Sequence, residues 1–401
     1  MEVIQIATLL NEVISEQVGG EQTLLNEDLS NVVDVGRSVF NATSYDKFTK
    51  ALVDRIGRTI FVDRRYEGTV PSVVYDGFEF GAVLEKIGSE IPEYTENETW
   101  DLVSGQSYDP NVFYGSNVYA KFFSRYVTFE VPLSITDKQA KSAFSSASEL
   151  RRFVNMLFGK VEDAMTLATE SLVMRTINGG IAETIYADYG SDALGTKSGV
   201  RAINLLYKYN QEHAGATLTQ AQAMKNPDFI RYASGEMMKY AKRLKKVSQI
   251  YNIGGKKRFT PTKNLKIVLF SDFSSDAEVY LYSNTFHDDY VKLPKADEVP
   301  YWQGVGNDPS DIQFTTAIDV KLPSNNEVTV QANGIIGTMF DEDCLGILNF
   351  ERYTTSDYNG KSEFTNYWHK QKCCAWLDTN ENMLVFIVSD DDGNDKKKGK
   401  K

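Results

Sequence analysis

The chain has 401 residues, of which 43 are basic and 55 acidic, so its formal net charge is −12. Three Cys are too few for a disulfide framework in a chain of this length, and three widely spaced His cannot pair on one helix to hold a metal. A pI near 5.0 argues against a protein that coats nucleic acid over its whole surface. The hydrophobic share of 42% excludes disorder of the whole chain.

Short helices are predicted near the N-terminus. Apolar residues recur at helical spacing from Ile6 to Ile14, and Gly19-Gly20 stops the pattern. A second pattern covers residues 45–56, with Gly57 after its end. Neither helix could form a core alone, so we expect this segment to be an arm that packs on something else.

The following segment is predicted to be a long two-stranded excursion with an irregular tip. Val127, Phe129 and Val131 alternate with polar residues, which predicts a half-buried strand ending at Pro132. Residues 91–115 are rich in Glu, Asn, Asp, Pro and Gly. Because an isolated two-stranded excursion is marginal in water, two interpretations stay open: an edge hairpin of the main domain, or a loop that reaches onto a neighbouring subunit.

A long helix is the strongest predicted element. It begins at the capping box Ser146 to Glu149 and is expected to close at Asn178-Gly179-Gly180. About 30 residues at 1.5 Å each make a rod of roughly 45–50 Å, which suits a flat or elongated subunit.

Helices and strands then alternate, as in an α/β subdomain. A helix begins at Asn226-Pro227 and is expected to end near Asn252, a buried strand covers residues 265–270, and Ser274-Ser275-Asp276 caps a following helix. The basic residues Lys242, Arg243, Lys245 and Lys246 are read either as a solvated helix end or as a contact for a polyanion.

The C-terminal region is predicted to be rich in strands. The candidates are residues 328–330, 334–339, 367–377 and 383–388, with a hairpin signal at Asn359-Gly360. We expect these strands to pack with the long helix. Residues 391–401 contain no apolar residue and are predicted to be disordered.

No catalytic chemistry is predicted. Between Gly190 and Ser198, Thr196 stands where a phosphate loop needs Lys directly after the second Gly. His369 and Cys373 would lie about 13 Å apart along one strand, too far to act as base and nucleophile. The sequence therefore predicts no catalytic, cofactor-binding or metal-ligating residue.

Aromatic residues are the positive anomaly, because 22 Tyr, 22 Phe and 4 Trp make up 12% of the chain. Many lie in the polar excursion, where they have no core of their own. Aromatic residues are enriched in protein–protein interfaces, so contact with a neighbouring subunit would explain them. A sugar-binding surface is the alternative. The residues in question are Tyr94, Trp100, Tyr108, Phe113, Tyr114 and Tyr119.

Three sequence blocks carry a resemblance to a known family. They are Phe48 with Ala51-Leu52-Val53-Asp54-Arg55-Ile56-Gly57; Gly337-Thr338-Met339-Phe340-Asp341 leading into Cys344-Leu345-Gly346; and Tyr367-Trp368 followed by Trp376 and residues 383–388. With these blocks and this order of elements, the chain resembles the major capsid proteins of tailed bacteriophages, which have the Hong Kong 97-type fold. It looks most similar to those of small, short-tailed phages of Gram-positive hosts.

The resemblance implies an α+β fold of six parts. They are an N-terminal arm (residues 1–62), an extended β loop (63–137), a peripheral domain with a spine helix (138–190), an α/β axial domain (191–350), returning strands of the peripheral domain (351–390) and a disordered charged tail (391–401).

The resemblance also implies a structural protein and not an enzyme. Its copies would form pentamers and hexamers of an icosahedral shell in the virion, around double-stranded DNA bound without sequence specificity and with no membrane. A scaffolding protein and a portal are the expected partners, and the bacterial host cytoplasm is the expected place of assembly. An encapsulin-like nanocompartment shell is the alternative with the same fold, and a hydrolase or nucleotide-binding enzyme is the alternative from another class. The expected inter-subunit contacts are Arg55, Arg58, Arg64, Arg65, Trp100, Tyr108, Phe113 and Tyr114.

Overall fold

The computed structural model describes most of the chain but not all of it. The described residues are 3–18, 24–26, 28–42, 51, 73–76, 84–91, 111, 115, 118–123, 126–143, 145–215, 217–283, 296–302 and 316–392.

Helices cover much of the first 42 residues and much of the middle of the chain. Within the described residues they are α1 (Val3–Val18), α2 (Val32–Ala42), α3 (Asp137–Ala143), α4 (Ala147–Tyr189), α5 (Leu205–Glu212), α6 (Gln220–Ala223), α7 (Pro227–Arg243) and α8 (Ser271–Ser283).

Strands lie before the long helix α4 and again in the C-terminal half. They are β1 (Val74–Asp76), β2 (Leu84–Ser89), β3 (Val118–Phe123), β4 (Tyr126–Thr136), β5 (Ala202–Asn204), β6 (Leu265–Phe270), β7 (Asp297–Val299), β8 (Ile318–Lys321), β9 (Thr329–Ala332), β10 (Ile335–Asp341), β11 (Leu345–Asn359), β12 (Phe364–Leu377) and β13 (Met383–Ile387).

The strands form two large sheets and two hairpins. One sheet has the order β1-β11-β12-β4 and the other β5-β13-β10-β6-β7. Among the described residues, β2 pairs only with β3 and β8 only with β9. The predicted hairpin signal at Asn359-Gly360 is confirmed as the turn between β11 and β12. The expected strand pattern at residues 265–270 is confirmed as β6.

The main core surrounds the five-stranded sheet, whose central strands β10 and β13 are buried along their full lengths. Antiparallel pairing sets Met339 opposite Leu384. The helix α7 begins at its predicted cap, where the Asn226 side chain accepts hydrogen bonds from the N–H groups of Asp228 and Phe229. It packs on the sheet with the Tyr240 ring 5.9 Å from that of Phe386.

The helix α4 has 43 residues and runs on past the predicted end at Asn178-Gly179-Gly180. That prediction is wrong because the two glycines serve close packing and do not end the helix. A Cβ on Gly179 would lie 3.0 Å from the Pro323 ring, and one on Gly180 would lie 2.9 Å from the Met383 sulfur. The helix therefore reaches Tyr189 and contacts strands of both large sheets, including β12, β11 and β13.

Three other boundaries differ from expectation. Strand β4 continues through Pro132 because it is an edge strand, where a missing N–H donor is tolerated. Helix α7 ends at Arg243, and α8 begins at Ser271, before the expected cap.

The strand β13 also departs from the expected grouping of residues 351–390 with the peripheral strands. It pairs with β5 and β10 of the five-stranded sheet. Its five residues are all buried, so it fits a central position in a sheet covered on both faces.

The arm helices α1 and α2 contact each other, and α1 also contacts α4. Their buried residues include Leu10, Val13, Ile14 and Val35, which agrees with the predicted apolar stripe of α1. The second helix predicted for the arm, residues 45–56, lies outside the described residues except for Ala51.

The expected fold class is confirmed. The protein is α+β, with the arm helices, paired extended strands, long helix, α/β sheet and late strands in the order expected of a Hong Kong 97-type capsid protein.

Replacing Phe229 with Ala should lower the free energy of unfolding by about 3–5 kcal/mol, because the ring is fully buried in the main core. Urea unfolding followed by circular dichroism measures the change. The matched control is Phe259→Ala, which removes a half-exposed ring and should have a much smaller effect. Equal losses in the two variants would contradict this placement of the core.

Candidate functional site

The two-stranded hairpin formed by β2 and β3 depends on contacts with the body of the protein. Its register sets Leu84 opposite Phe123 and Ser89 opposite Val118. Side chains alternate across it, so that Lys86, Tyr119 and Lys121 form an inner face against the body of the protein. A hairpin of two strands is marginally stable in water, so contacts on this inner face must hold it.

A buried carboxylate holds the two strands. Asp378 follows β12 directly, and its side chain is 0% exposed. One carboxylate oxygen lies 3.0 Å from Lys86 Nζ, and the other accepts a hydrogen bond of 2.9 Å from Lys121 Nζ. Because the two lysines belong to different strands, this single carboxylate joins both strands to the end of β12.

A second acidic residue extends the cluster. Lys86 Nζ lies 2.8 Å from Glu381 Oε1, and Arg258 Nε donates to the same oxygen at 3.2 Å. The Arg258 guanidinium also donates to the Tyr119 hydroxyl. At the far end of the hairpin Lys256 pairs with Glu90.

The electrostatics favour the charged forms of the central pair. Burial alone would raise the pKa of Asp378, but hydrogen bonding from Lys121 and the charge of Lys86 outweigh it, so this pKa lies below its usual value. Burial would lower the pKa of Lys86, but hydrogen bonding and the charges of Glu381 and Asp378 raise it overall. The hairpin is thus fastened by ion pairs that persist across the neutral range.

The outer face of the hairpin is exposed and mostly apolar, although Glu85 and Ser89 also lie on it. Ile87, Val118 and Phe122 are 67%, 65% and 62% exposed, respectively. Exposed apolar side chains grouped on one face of a strand pair mark a surface for another molecule.

A cleft of about 300 Å³ lies between the root of the hairpin, α4 and the end of β12. Phe122 and Phe123 form one wall, Leu172 and Arg175 of α4 the second, and Trp376 the third. Its lining combines apolar side chains with Arg175 and Thr176, and its volume is enough to admit one large side chain.

The eight residues expected to make inter-subunit contacts all lie outside the described residues. They are Arg55, Arg58, Arg64, Arg65, Trp100, Tyr108, Phe113 and Tyr114. Of the other aromatic residues noted in the excursion, Tyr119 is described, and its ring lies 5.4 Å from the Arg258 guanidinium carbon.

Sequence reasoning did not find the cluster of Lys86, Lys121, Asp378 and Glu381. Its members are 257 and 295 residues apart along the chain, so no local pattern joins them. The only signal was the polar loop after the strand of residues 367–377.

Two classes of site are not found in the part of the chain that the structure describes. No group of three or more His, Cys, Asp or Glu side chains there could hold a metal ion. No helix among the described residues has the length and apolar character needed to cross a bilayer.

Replacing Asp378 with Asn should lower the free energy of unfolding by about 2–3 kcal/mol at neutral pH, because two lysines lose their buried partner. The pKa of Asp378 is lower in the folded than in the unfolded state, so its stabilisation is complete above the unfolded pKa of about 4 and is lost as the pH falls through the folded pKa. The difference between wild type and variant should therefore shrink below about pH 4.

Urea unfolding at a series of pH values measures this difference. The control is Asp192→Asn, which removes a surface ion pair with Lys197 and should leave stability nearly unchanged. A difference for Asp378→Asn that stayed constant down to pH 2 would contradict the role of the carboxylate.

The sequence is similar to that of phage capsid proteins. The family model of the Phi29-like phage major capsid protein matches residues 9–387. No protein with a curated function matches the chain in sequence.

Three solved structures match most of this chain at low identity and with TM-scores below 0.5. A chain in the capsid structure of Staphylococcus phage Andhra is 9% identical, with 81% of this chain and 84% of that chain covered and a TM-score of 0.46. A chain in the structure of head fiber and inner core protein gp22 of native bacteriophage P68 is 10% identical, with 82% and 88% covered and a TM-score of 0.48. A chain in the capsid structure of the Cyanophage P-SCSP1u is 9% identical, with 83% and 94% covered and a TM-score of 0.41.

The family match extends from the first arm helix to the last strand, so it covers every element that bears on the hairpin and its root. The chain therefore belongs to the family of Phi29-like phage major capsid proteins and is a structural protein of a phage capsid.

Proposed function

We propose that the outer face of the β2–β3 hairpin joins one copy of this capsid protein to the next in an icosahedral shell. The observation that carries the proposal is the group Ile87, Val118 and Phe122, three large apolar side chains exposed on one face of a hairpin whose root is fixed. Burying them at about 25 cal/mol per Å² favours association, and the anchored root reduces the conformational entropy lost on binding.

The partner surface is the long helix of a neighbouring copy. Leu167 on α4 is exposed, and the cleft beside Leu172 and Trp376 could receive an apolar side chain. Because the hairpin and the helix are different surfaces, the contact is head-to-tail, and repeating it closes rings such as pentamers and hexamers. Each copy then makes several contacts, and their joint effect exceeds that of any one of them.

The residues of the arm and the excursion outside the described part extend this proposal. Arg55, Arg58, Arg64 and Arg65 would pair with acidic groups across interfaces. Trp100, Tyr108, Phe113 and Tyr114 would supply aromatic contacts at the far end of the excursion.

The wider setting is also part of the proposal. The shell encloses double-stranded DNA without sequence-specific binding, and the net charge of −12 fits a container that does not hold its polyanion tightly. A scaffolding protein and a portal act as partners, assembly takes place in the cytoplasm of the bacterial host, and the protein has no enzymatic activity. The sequence blocks at residues 48–57, 337–346 and 367–388 support a small short-tailed phage of a Gram-positive host. The division of the chain into six parts remains a proposal. In it, β13 is grouped with the axial domain, because it pairs within the five-stranded sheet.

Replacing Val118 with Asp should abolish particles, because it places a charge within the apolar outer face of the hairpin. Electron microscopy and sedimentation of the expressed protein provide the measurement. The matched control is Val200→Asp, the same substitution at a side chain that is 51% exposed on another part of the surface. Normal particles from Val118→Asp would contradict the proposed interface.

Reversing two charges at the base of the excursion, Arg64→Glu with Arg65→Glu, should also prevent normal shells, because pairs with acidic groups become repulsive. Each such pair is worth about 1 kcal/mol or less when exposed, but the loss repeats at every copy. Electron microscopy of the double variant against Arg64→Lys with Arg65→Lys, which keeps the charge, tests it. Normal shells from the Glu variant would remove these arginines from the interface.

A further inference from the structure

The charges of the chain are strongly segregated. Residues 237–271 contain ten basic residues and no acidic one, although the whole chain is acidic. Residues 87–120 contain six acidic residues and no basic one. Two segments of opposite charge can pair within one chain, as Glu90 and Lys256 do, and can also attract each other between copies.

The basic segment includes a well-anchored surface loop, residues 242–259, which we call the basic loop. Its two sides are joined by paired backbone hydrogen bonds of 2.9 Å between Ser248 and Arg258. Its base is closed by Thr260 N–H donating to Leu244 O at 2.7 Å, and its tip is held by Gly254 N–H donating to Thr379 O. The loop thus presents a surface that exists before any partner binds.

The exposed face of the basic loop combines charge with apolar area. Lys242, Arg243, Lys245 and Lys246 are exposed at one end. Val247, Ile250 and Phe259 are each about half exposed, and the bridge between Ser248 and Arg258 sets Val247 directly opposite Phe259. A partner for this face needs carboxylates and apolar side chains together.

We propose that the acidic segment of a neighbouring copy, residues 93–109, docks on the basic loop. This inference rests on the proposed function, since it names the second surface that the excursion meets in the shell. The acidic segment carries five carboxylates, at positions 93, 96, 98, 101 and 109, interleaved with Tyr94, Trp100, Leu102 and Val103. It therefore matches the basic loop in charge and in apolar content.

Nucleic acid matches the basic loop less well. Phosphates would satisfy the lysines, but a phosphate backbone offers nothing apolar to cover Val247, Ile250 and Phe259. These three side chains lie among the lysines, so a ligand that contacts the charges must also cover the apolar area.

The excursion touches its own basic loop at one described point and is long enough to reach beyond it. Glu90 already pairs with Lys256 of the same chain, where the hairpin leaves the body. The next residue, Ile91, precedes Pro92, which disfavours a helical turn and favours continued extension. Residues 92–117 number 26, so 13 residues are available to run out and 13 to return. At roughly 3.3 Å per residue they can reach about 40 Å, which is the width of a domain.

A cross-linking experiment separates a neighbouring copy from the same chain. Two differently tagged chains, one with Lys246→Cys and one with Glu98→Cys, are co-expressed and oxidised mildly. The described native cysteines, Cys344, Cys373 and Cys374, are buried. We expect a disulfide-linked pair that carries both tags in the particles, and none when Lys361→Cys, on the exposed β11–β12 turn, replaces Lys246→Cys.

The cross-linking result can overturn the proposal in two ways. A third chain carries both substitutions, and a disulfide that forms within it but not between the two tagged chains would mean that the segment covers its own loop. Absence of any disulfide from otherwise normal particles would mean that the two surfaces do not meet.

Charge reversal tests the energetics. Lys245→Glu with Lys246→Glu should lower the yield of particles about tenfold or more, since each contact repeats around the shell. Glu96→Lys with Glu98→Lys should do the same, and combining all four substitutions should restore most of the yield. The control, Lys321→Glu with Lys361→Glu, makes the same charge change at exposed positions elsewhere and should leave the yield unchanged.

Three outcomes decide the matter. Recovery in the four-fold variant supports direct pairing. It also shows that neither double variant fails through misfolding, because two further substitutions would not rescue a misfolded chain. Normal particles with a reduced DNA content from Lys245→Glu with Lys246→Glu would overturn the proposal in favour of a polyanion contact. Normal particles from both pairs, while Val118→Asp still blocks assembly, would reject the basic loop as a docking surface and leave the proposed function standing.

Discussion

The structure depends on one buried carboxylate that fixes a hairpin which could not hold itself in water. Asp378 receives a lysine from each strand, so the same side chain joins the strands and ties them to β12. Burying these charges is unfavourable unless each is well paired, and the pKa of Asp378 lies below its usual value because they are. The inner face of the hairpin is committed to this contact, and Ile87, Val118 and Phe122 are exposed on its outer face.

The long helix α4 connects the parts of the protein that support the hairpin. It contacts both large sheets, and its close approach depends on Gly179 and Gly180, where Pro323 and Met383 occupy the space of a side chain. The hairpin root, the cleft and the basic loop all lie on elements that this helix and the five-stranded sheet position. A capsid subunit needs such a rigid body, because small errors in direction accumulate around a closed ring.

Local patterns predicted much of the fold, and contacts between distant segments account for the rest. The start of α7 and the strand β6 follow from caps and apolar runs within a few residues. The end of α4 does not follow from the sequence, because Gly179-Gly180 gives the same signal whether it ends a helix or lets another segment pack closely against it. The ion pairs of Asp378 with Lys121 and of Glu381 with Lys86 could not be predicted from local sequence patterns, because the partners are 257 and 295 residues apart. The family was recognisable from the order of elements, which depends on the whole chain and tolerates such local errors.

Sheet edges are a hazard for a protein that is packed at very high local concentration, because an open strand edge can pair with the edge of any other copy. In this fold the outer strands of the large sheets offer little to pair with. β1, β5 and β7 have only three residues each, and the longer edge strand β4 contains Pro132. Continuation of these two large sheets from copy to copy is thereby discouraged, which favours recognition between copies through side chains on these parts of the surface. The geometry of the particle can then be set by specific surfaces, while the backbone polymerisation that leads to amyloid-like aggregates is suppressed.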